Sequence, residues 1–412
     1  MRVLLLAEVS AARVIGGAER VLREQAFGLR RRGHHVGVVA RAPLSDARPQ
    51  VSVDGIVEHR YVASRRNEPA FVLSSIARSL QAYDWASSAM TPDGVVIHQA
   101  LAGLGPVLRR RREANGWVFM CNSLAHEEYL SRTRPGRTAL ERMRRAFNAQ
   151  LRRWCERAVM RRCERIAVLS EFMKRRVLIT HDVPESRLHI IPGAADPTQF
   201  RPPDDPMEVR RQLHLPHNQV LLLTVRNLVP RMGLENLLHA IEKLGEEARD
   251  LLVLIGGEGP LRPALEQLIR DLRLTDHVQL LGFIPEDRLS KYYQAADLVL
   301  MPTHELEGFG LVTVEALACG TPVLGTPVGA IPEVLARLDS ALLTDGSDAT
   351  ALAAGIRRIL RRFRDQPGEQ ERLSRKARSL VEKDYNWDRH SEQLETILQA
   401  ACPNFSSNRG RG

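Results

Sequence analysis

Apolar residues fall along this chain in short unbroken runs, separated by longer stretches in which they recur every three or four positions. The runs predict buried parallel strands, and the spaced stretches predict helices with one apolar face. Residues 2–9 are the first run, and a loop over 10–17 ends in Gly16-Gly17. Residues 19–32 then carry Val21, Leu22, Ala26 and Leu29 at helical spacing, Gly33 stops them, and 35–40 are the next run. Strand, glycine loop, helix and strand compose one βαβ unit of the nucleotide-binding kind, although a glycine pair also suits a plain tight turn. Further strands are predicted at 53–62, 94–98, 116–121, 165–170 and 188–191, with helices at 71–85 and 171–179.

The pattern restarts after Phe200-Arg-Pro-Pro-Asp-Asp-Pro206, a proline-rich polar stretch that reads as a linker. Runs at 220–225, 251–255, 278–281, 297–301 and 322–325 predict the strands of a second sheet. The fold class is therefore α/β, with two Rossmann-like doubly wound parallel-sheet domains, 1–200 and 201–385, facing a central cleft. A helix at 386–401 is expected to pack back toward the first domain, and 402–412 to form a flexible tail.

Composition changes this picture in two places. The chain of 412 residues carries a net charge of +10, mostly from arginine, which suits anionic partners but equally describes a solvated basic surface. The densest basic stretch, 132–165, interleaves Met143, Phe147, Leu151, Trp154 and Val159. It predicts an amphipathic helix, either packed on its sheet or docked on an acidic membrane face. Its aromatics are too few for a nucleic-acid stacking platform. The five cysteines form no Cys-x-x-Cys pair and no histidine lies at zinc-finger spacing, so reduced thiols are expected. Charges interrupt the apolar N-terminus early, and no apolar run reaches bilayer length, so a cytoplasmic protein, at most peripheral to a membrane, is expected.

The stretch with most chemistry is 302–325. A strand feeds a polar loop ending in Glu307 and Gly308-Phe309-Gly310; an apolar helix begins at Leu311 and carries Glu315. A helix N-terminus offers unpaired N–H groups and a positive dipole, which suits a phosphate. Two carboxylates flank that end. Glu315 sits between Val314 and Ala316, so it needs hydroxyl or N–H partners. The alternative is a capped core helix with one surface acid. In the first half, His98, Asn122 and His126 follow strand ends, where parallel sheets place ligands. A lone histidine is also commonly structural.

From Thr224 to Val334 separate motifs occur in order: Val-Arg-Asn-Leu-Val-Pro-Arg-Met-Gly, Gly-Gly-Glu-Gly-Pro, Leu-Gly-Phe-Ile-Pro and Glu-Gly-Phe-Gly-Leu-Val-Thr-Val-Glu. The chain thereby resembles the family-four retaining glycosyltransferases of GT-B fold, also called group 1 glycosyl transferases. Gly16-Gly17-Ala-Glu19 and Ile191-Pro-Gly-Ala-Ala-Asp196 extend the likeness through the first half. The resemblance implies transfer of a hexosyl unit from a UDP- or GDP-sugar to a sugar, polysaccharide or lipid-linked acceptor hydroxyl, with retention. It implies that Glu307 meets donor hydroxyls and Glu315 the ribose. Phe309, Gly310 and Leu311 meet phosphate and sugar, and Gly16 and Gly17 close on the diphosphate. Gly257 and Asn227 lie in donor-side loops. Where the family carries Arg and Lys against the leaving diphosphate, this chain has Asn227 and Met232, with Arg226 and Arg231 as neighbours able to replace them. His98 and His126 are the acceptor-side candidates. No metal is expected at the donor, because no Asp-x-Asp pair accompanies these motifs, and no cofactor beyond the substrate. The alternatives are a nucleotide-sugar epimerase or a catalytically impaired GT-B scaffold binding an acidic partner. A phosphorylase-like enzyme would need a pyridoxal-phosphate lysine, and the second half has few lysines.

Overall fold

The structure is a computed structural model describing residues 1–44, 46–109, 116–133 and 138–402. The expected tail at 402–412 lies, but for Cys402, outside the described residues. Two compact units emerge: Met1–Pro192 together with the stretch beginning at Trp387, and Gly193–Asn386.

The first unit holds β1 (Arg2–Leu6), α1 (Gly17–Arg31), β2 (His35–Arg41), β3 (Gln50–Val53), β4 (Ile56–Tyr61), α2 (Glu68–Met90), β5 (Gly94–Ile97), α3 (Ala100–Arg109), β6 (Gly116–Cys121), α4 (Ala125–Arg132), α5 (Ala139–Met160), β7 (Arg165–Val168), α6 (Glu171–Thr180) and β8 (Leu188–Ile190). Its sheet runs β3-β4-β2-β1-β5-β6-β7-β8, parallel except for the β3–β4 hairpin. Val3 to Leu6 and Val95 to Ile97 are wholly buried, as unbroken apolar strands covered on both faces must be. The single strand expected at 53–62 is instead this hairpin. It turns at Asp54-Gly55, both left-handed (φ 46° and 79°), the dipeptide that favours a two-residue hairpin turn. The helix of the basic stretch is α5, while α4 ends at Arg132; Thr138 caps α5 by accepting a hydrogen bond from the Glu141 N–H.

The second unit holds α7 (Pro206–Gln212), β9 (Val220–Val225), α8 (Leu234–Leu244), β10 (Leu251–Gly256), α9 (Arg262–Asp271), β11 (Val278–Gly282), α10 (Glu286–Ala295), β12 (Leu298–Met301), α11 (Leu311–Ala318), β13 (Val323–Gly325), α12 (Ile331–Leu338), α13 (Ala349–Asp365) and α14 (Glu369–Asp384). Its sheet is parallel throughout, in the order β11-β10-β9-β12-β13. Both sheets are doubly wound, with the order reversing beside β1 and beside β9.

The boundary between units falls at Pro192, not at residue 200, and the stretch 200–206 is not a free linker. Phe200 is wholly buried against Tyr293, ring centroids 6.0 Å apart, and Arg378 donates to the carbonyls of Pro197 and Phe200 at 2.9 and 2.7 Å. An aromatic anchor and a half-buried guanidinium bonded to two carbonyls outweigh the local proline signal. The last helix, α15 (Trp387–Ala401), belongs to the first unit. It lies so close to α1 that a Cβ on Gly28 would meet Ser391 Oγ at 1.9 Å. Arg32 and His34 both pair with Glu395 along the same seam. Gly28→Val is therefore expected to force the helices apart and cost about 1–3 kcal/mol, read as a lower urea midpoint.

Candidate active site

The strand-order reversal of the second unit lies between β9 and β12, and the loops leaving their C-terminal ends carry the predicted chemistry. Arg226 is the first residue after β9. Its guanidinium donates to Glu307 Oε2 and, at 2.7 Å, to Thr303 Oγ1, both from the loop after β12. The ion pair is secluded, with side-chain exposures of 4% for Arg226 and 12% for Glu307. Arg231 turns to the same loop, donating to the Leu306 carbonyl at 2.7 Å, while its own carbonyl accepts from the His304 and Glu305 N–H groups. Both arginines thus face the Glu307 loop.

Backbone geometry holds the pair in place. Gly257 (φ 129°) lets its loop pass so near Arg226 that a Cβ would meet the Arg226 carbonyl at 1.9 Å. Gly329 (φ 63°) does the same for Glu307, at 2.2 Å from its carbonyl, and the Ala330 N–H donates to that carbonyl. Leu306, just before Glu307, is left-handed at φ 54°, a conformation costly for a non-glycine residue and concentrated at functional sites.

Gly310 (φ 83°) starts α11. Among the described residues none accepts from the N–H groups of Phe309, Gly310 or Leu311, leaving them as donors at a positive helix end. The Phe309 ring is buried against Tyr385 and closes over Gly193. Glu315, one turn into the helix, is 3% exposed and accepts from the Tyr293 hydroxyl at 3.0 Å, which supplies the partner its apolar surroundings demand. Asn227 is exposed, while Met232, where a family lysine would stand, is buried. Sequence reasoning missed Thr303 and Tyr293, which left no signal in the order of residues.

In the first unit Gly16 caps α1, and its N–H donates to Glu19 at 3.1 Å, while Gly17 is exposed. Burial raises the Glu19 carboxyl above its ordinary value. His98 follows β5 and is 3% exposed, with neither ring nitrogen hydrogen-bonded. Burial, reinforced by His390, pushes it down to about 3, so it is neutral. His126 has different company: its Nδ1 lies 2.7 Å from Glu156, and its ring packs edge-on to His181. It also lines a pocket of about 370 Å³ with Arg142, Arg145 and Arg153.

Two such doubly wound parallel sheets are those of the GT-B fold. The chain belongs to the group 1 glycosyltransferases: residues 206–380 match the family described as Glycosyl transferases group 1 and residues 15–199 that described as Glycosyltransferase Family 4. A D-inositol 3-phosphate glycosyltransferase from Thermomonospora curvata is 31% identical over 55% of this chain and 54% of its own. The chain spans about half to just under two thirds of the length of the curated relatives it matches. Sucrose-phosphate synthase from Thermosynechococcus elongatus superposes with TM-score 0.83, at 22% identity, over 99% of this chain and 100% of that one. The Anabaena protein HepE, solved with UDP-glucose, follows at 0.73 and 17%, over 97% and 100%. These likenesses establish the fold.

His98 and His390 carry a pH dependence. Burial lowers His390 to about 4, partly opposed by its hydrogen bond to the Pro192 carbonyl. Both folded values lie below the ordinary 6.5, so the unfolded chain takes up protons first as pH falls. Stability is then full above about pH 6.5 and is lost toward pH 4, by up to ~1.4 kcal/mol per pH unit per histidine. All four tryptophans lie in this unit, so fluorescence-detected urea unfolding reports it; His98→Met is expected to flatten the slope by about half.

Proposed function

We propose that the protein transfers a hexosyl unit from a nucleoside diphosphate sugar, UDP- or GDP-linked, to a hydroxyl of an anionic, lipid-borne acceptor, with retention. The observation that carries this reading is the secluded Arg226–Glu307 pair beside the open amides of α11. The diphosphate rests on those amides and the helix dipole, with Arg226 and Arg231 supplying the positive charge that Asn227 and Met232 do not. Glu307 accepts from sugar hydroxyls and Glu315, held by Tyr293, from the ribose. The bond from the anomeric carbon to the diphosphate breaks, and the acceptor oxygen bonds that carbon from the same face. The acceptor proton passes to the departing diphosphate oxygen. A relative acting on an inositol phosphate and a solved relative holding UDP-glucose support a nucleotide-sugar donor.

The acceptor reading rests on the first unit. Arg142, Arg145 and Arg153 around one pocket favour an acceptor bearing phosphate. On the outer face of α5, Leu140, Met143, Phe147 and Trp154 are 56–67% exposed, one apolar stripe between arginines. That pattern suits the surface of an anionic bilayer. Among the described residues no helix is long and apolar enough to cross a membrane.

Glu307→Gln and Arg226→Gln are each expected to lower kcat/KM about 100-fold or more, with circular dichroism unchanged. Wild-type turnover in both variants would overturn the donor site, and a product with inverted anomeric configuration by NMR would overturn retention. Cosedimentation with vesicles containing acidic lipid is expected for the wild type and is expected to fall when Phe147 and Trp154 are both changed to Ser.

A further inference from the structure

A cluster in the first unit, bordering the arginine-lined pocket through His126, has no part in the donor chemistry above. His126 on α4, Glu156 on α5 and His181 at the C-terminal end of α6 converge, all buried, with one ligand-capable atom from each within 4.8 Å of the others. His126 Nδ1 is 2.7 Å from Glu156 Oε2, and His181 Nε2 is 3.5 Å from the same oxygen. The other Glu156 oxygen accepts from the Ala125 N–H at 2.5 Å.

Hydrogen bonding accounts for only part of this arrangement. His181 is wholly buried, yet neither of its ring nitrogens makes a hydrogen bond. A buried polar group without a well-formed hydrogen bond is costly, and His181 Nε2 stands off the Glu156 carboxylate at the long distance of 3.5 Å. We propose that His126 Nδ1, His181 Nε2 and Glu156 Oε2 are the ligands of a zinc ion that ties α4, α5 and α6 together.

The donor set and spacing fit that ion. Zinc takes imidazole nitrogen and carboxylate oxygen at about 2.0–2.2 Å, and tetrahedral bonds of that length set ligand atoms roughly 3.3 Å apart. The separations of 2.7 and 3.5 Å bracket that value. A metal-bound imidazole characteristically has a carboxylate opposite its second nitrogen. His126 Nε2 has Glu127 Oε1 at 3.9 Å, and Glu127 is itself held by Arg176. The nearby arginines are engaged elsewhere: Arg145 with the Leu130 carbonyl and Thr133, Arg153 with the Thr180 carbonyl, and Arg157 and Arg161 with Asp182. His126 also borders the arginine-lined pocket. This site does not rest on the donor reading.

The test uses the full chain without an affinity tag, stripped by chelator and titrated with Zn²⁺ against a chromophoric competitor. One equivalent is expected to bind, with a raised Tm. His181→Asn and Glu156→Gln are each expected to weaken binding by at least the ~100-fold that loss of an outer-shell partner costs. Co²⁺ added to the stripped wild type is expected to give visible d–d bands, a readout that does not require the variants to fold. Absence of those bands, or zinc uptake by the variants equal to that of the wild type, would overturn the site.

Discussion

The second unit depends on a single electrostatic pairing at the reversal of its sheet. Arg226 and Glu307 leave neighbouring strands and meet where both are nearly out of water. Neither charge is tolerable there alone, because an isolated buried ion is strongly destabilising. The surrounding backbone is shaped to their meeting. Gly257 and Gly329 bring main chain against their carbonyls, and Leu306 adopts an unfavourable conformation just ahead of the acid. Thr303 adds a hydroxyl, and Arg231 ties down the loop itself.

Much of this was legible from residue order. Unbroken apolar runs marked the buried strands, because a strand covered on both faces has no polar side. The glycines of 308–310 marked the helix end, because Gly310 takes the left-handed conformation that precedes α11. The reading failed where tertiary contacts overrode local signals. Phe200 looked like the start of a linker, but its ring is a core residue against Tyr293. Arg226 and Arg231 were recognisable as replacements for the family's missing cations; that both turn toward the Glu307 loop was not, since side-chain direction depends on a strand some 75 residues away. His126, Glu156 and His181 lie on three separate helices and share no spacing that a sequence pattern could reveal.

The first unit handles its ionisable groups differently. His98 and His390 are kept neutral by burial, so they act as packing residues with a hidden acid sensitivity. Its four cysteines are buried and form no disulfide, and Cys121 and Cys155 are raised by burial and by the neighbouring Glu156, which keeps them protonated and poorly nucleophilic.

The return of α15 to the first unit has a bearing on biosynthesis. That unit is discontinuous: the groove beside Gly28 and the edge near Gly116, where Cys402 would clash with any added side chain, are filled only by the last described residues. Vectorial synthesis delivers the second unit in full before the missing piece appears. The nascent first unit carries an apolar seam uncovered until then, so emergence of 387–401, rather than of the opening two hundred residues, sets when this half can complete its core.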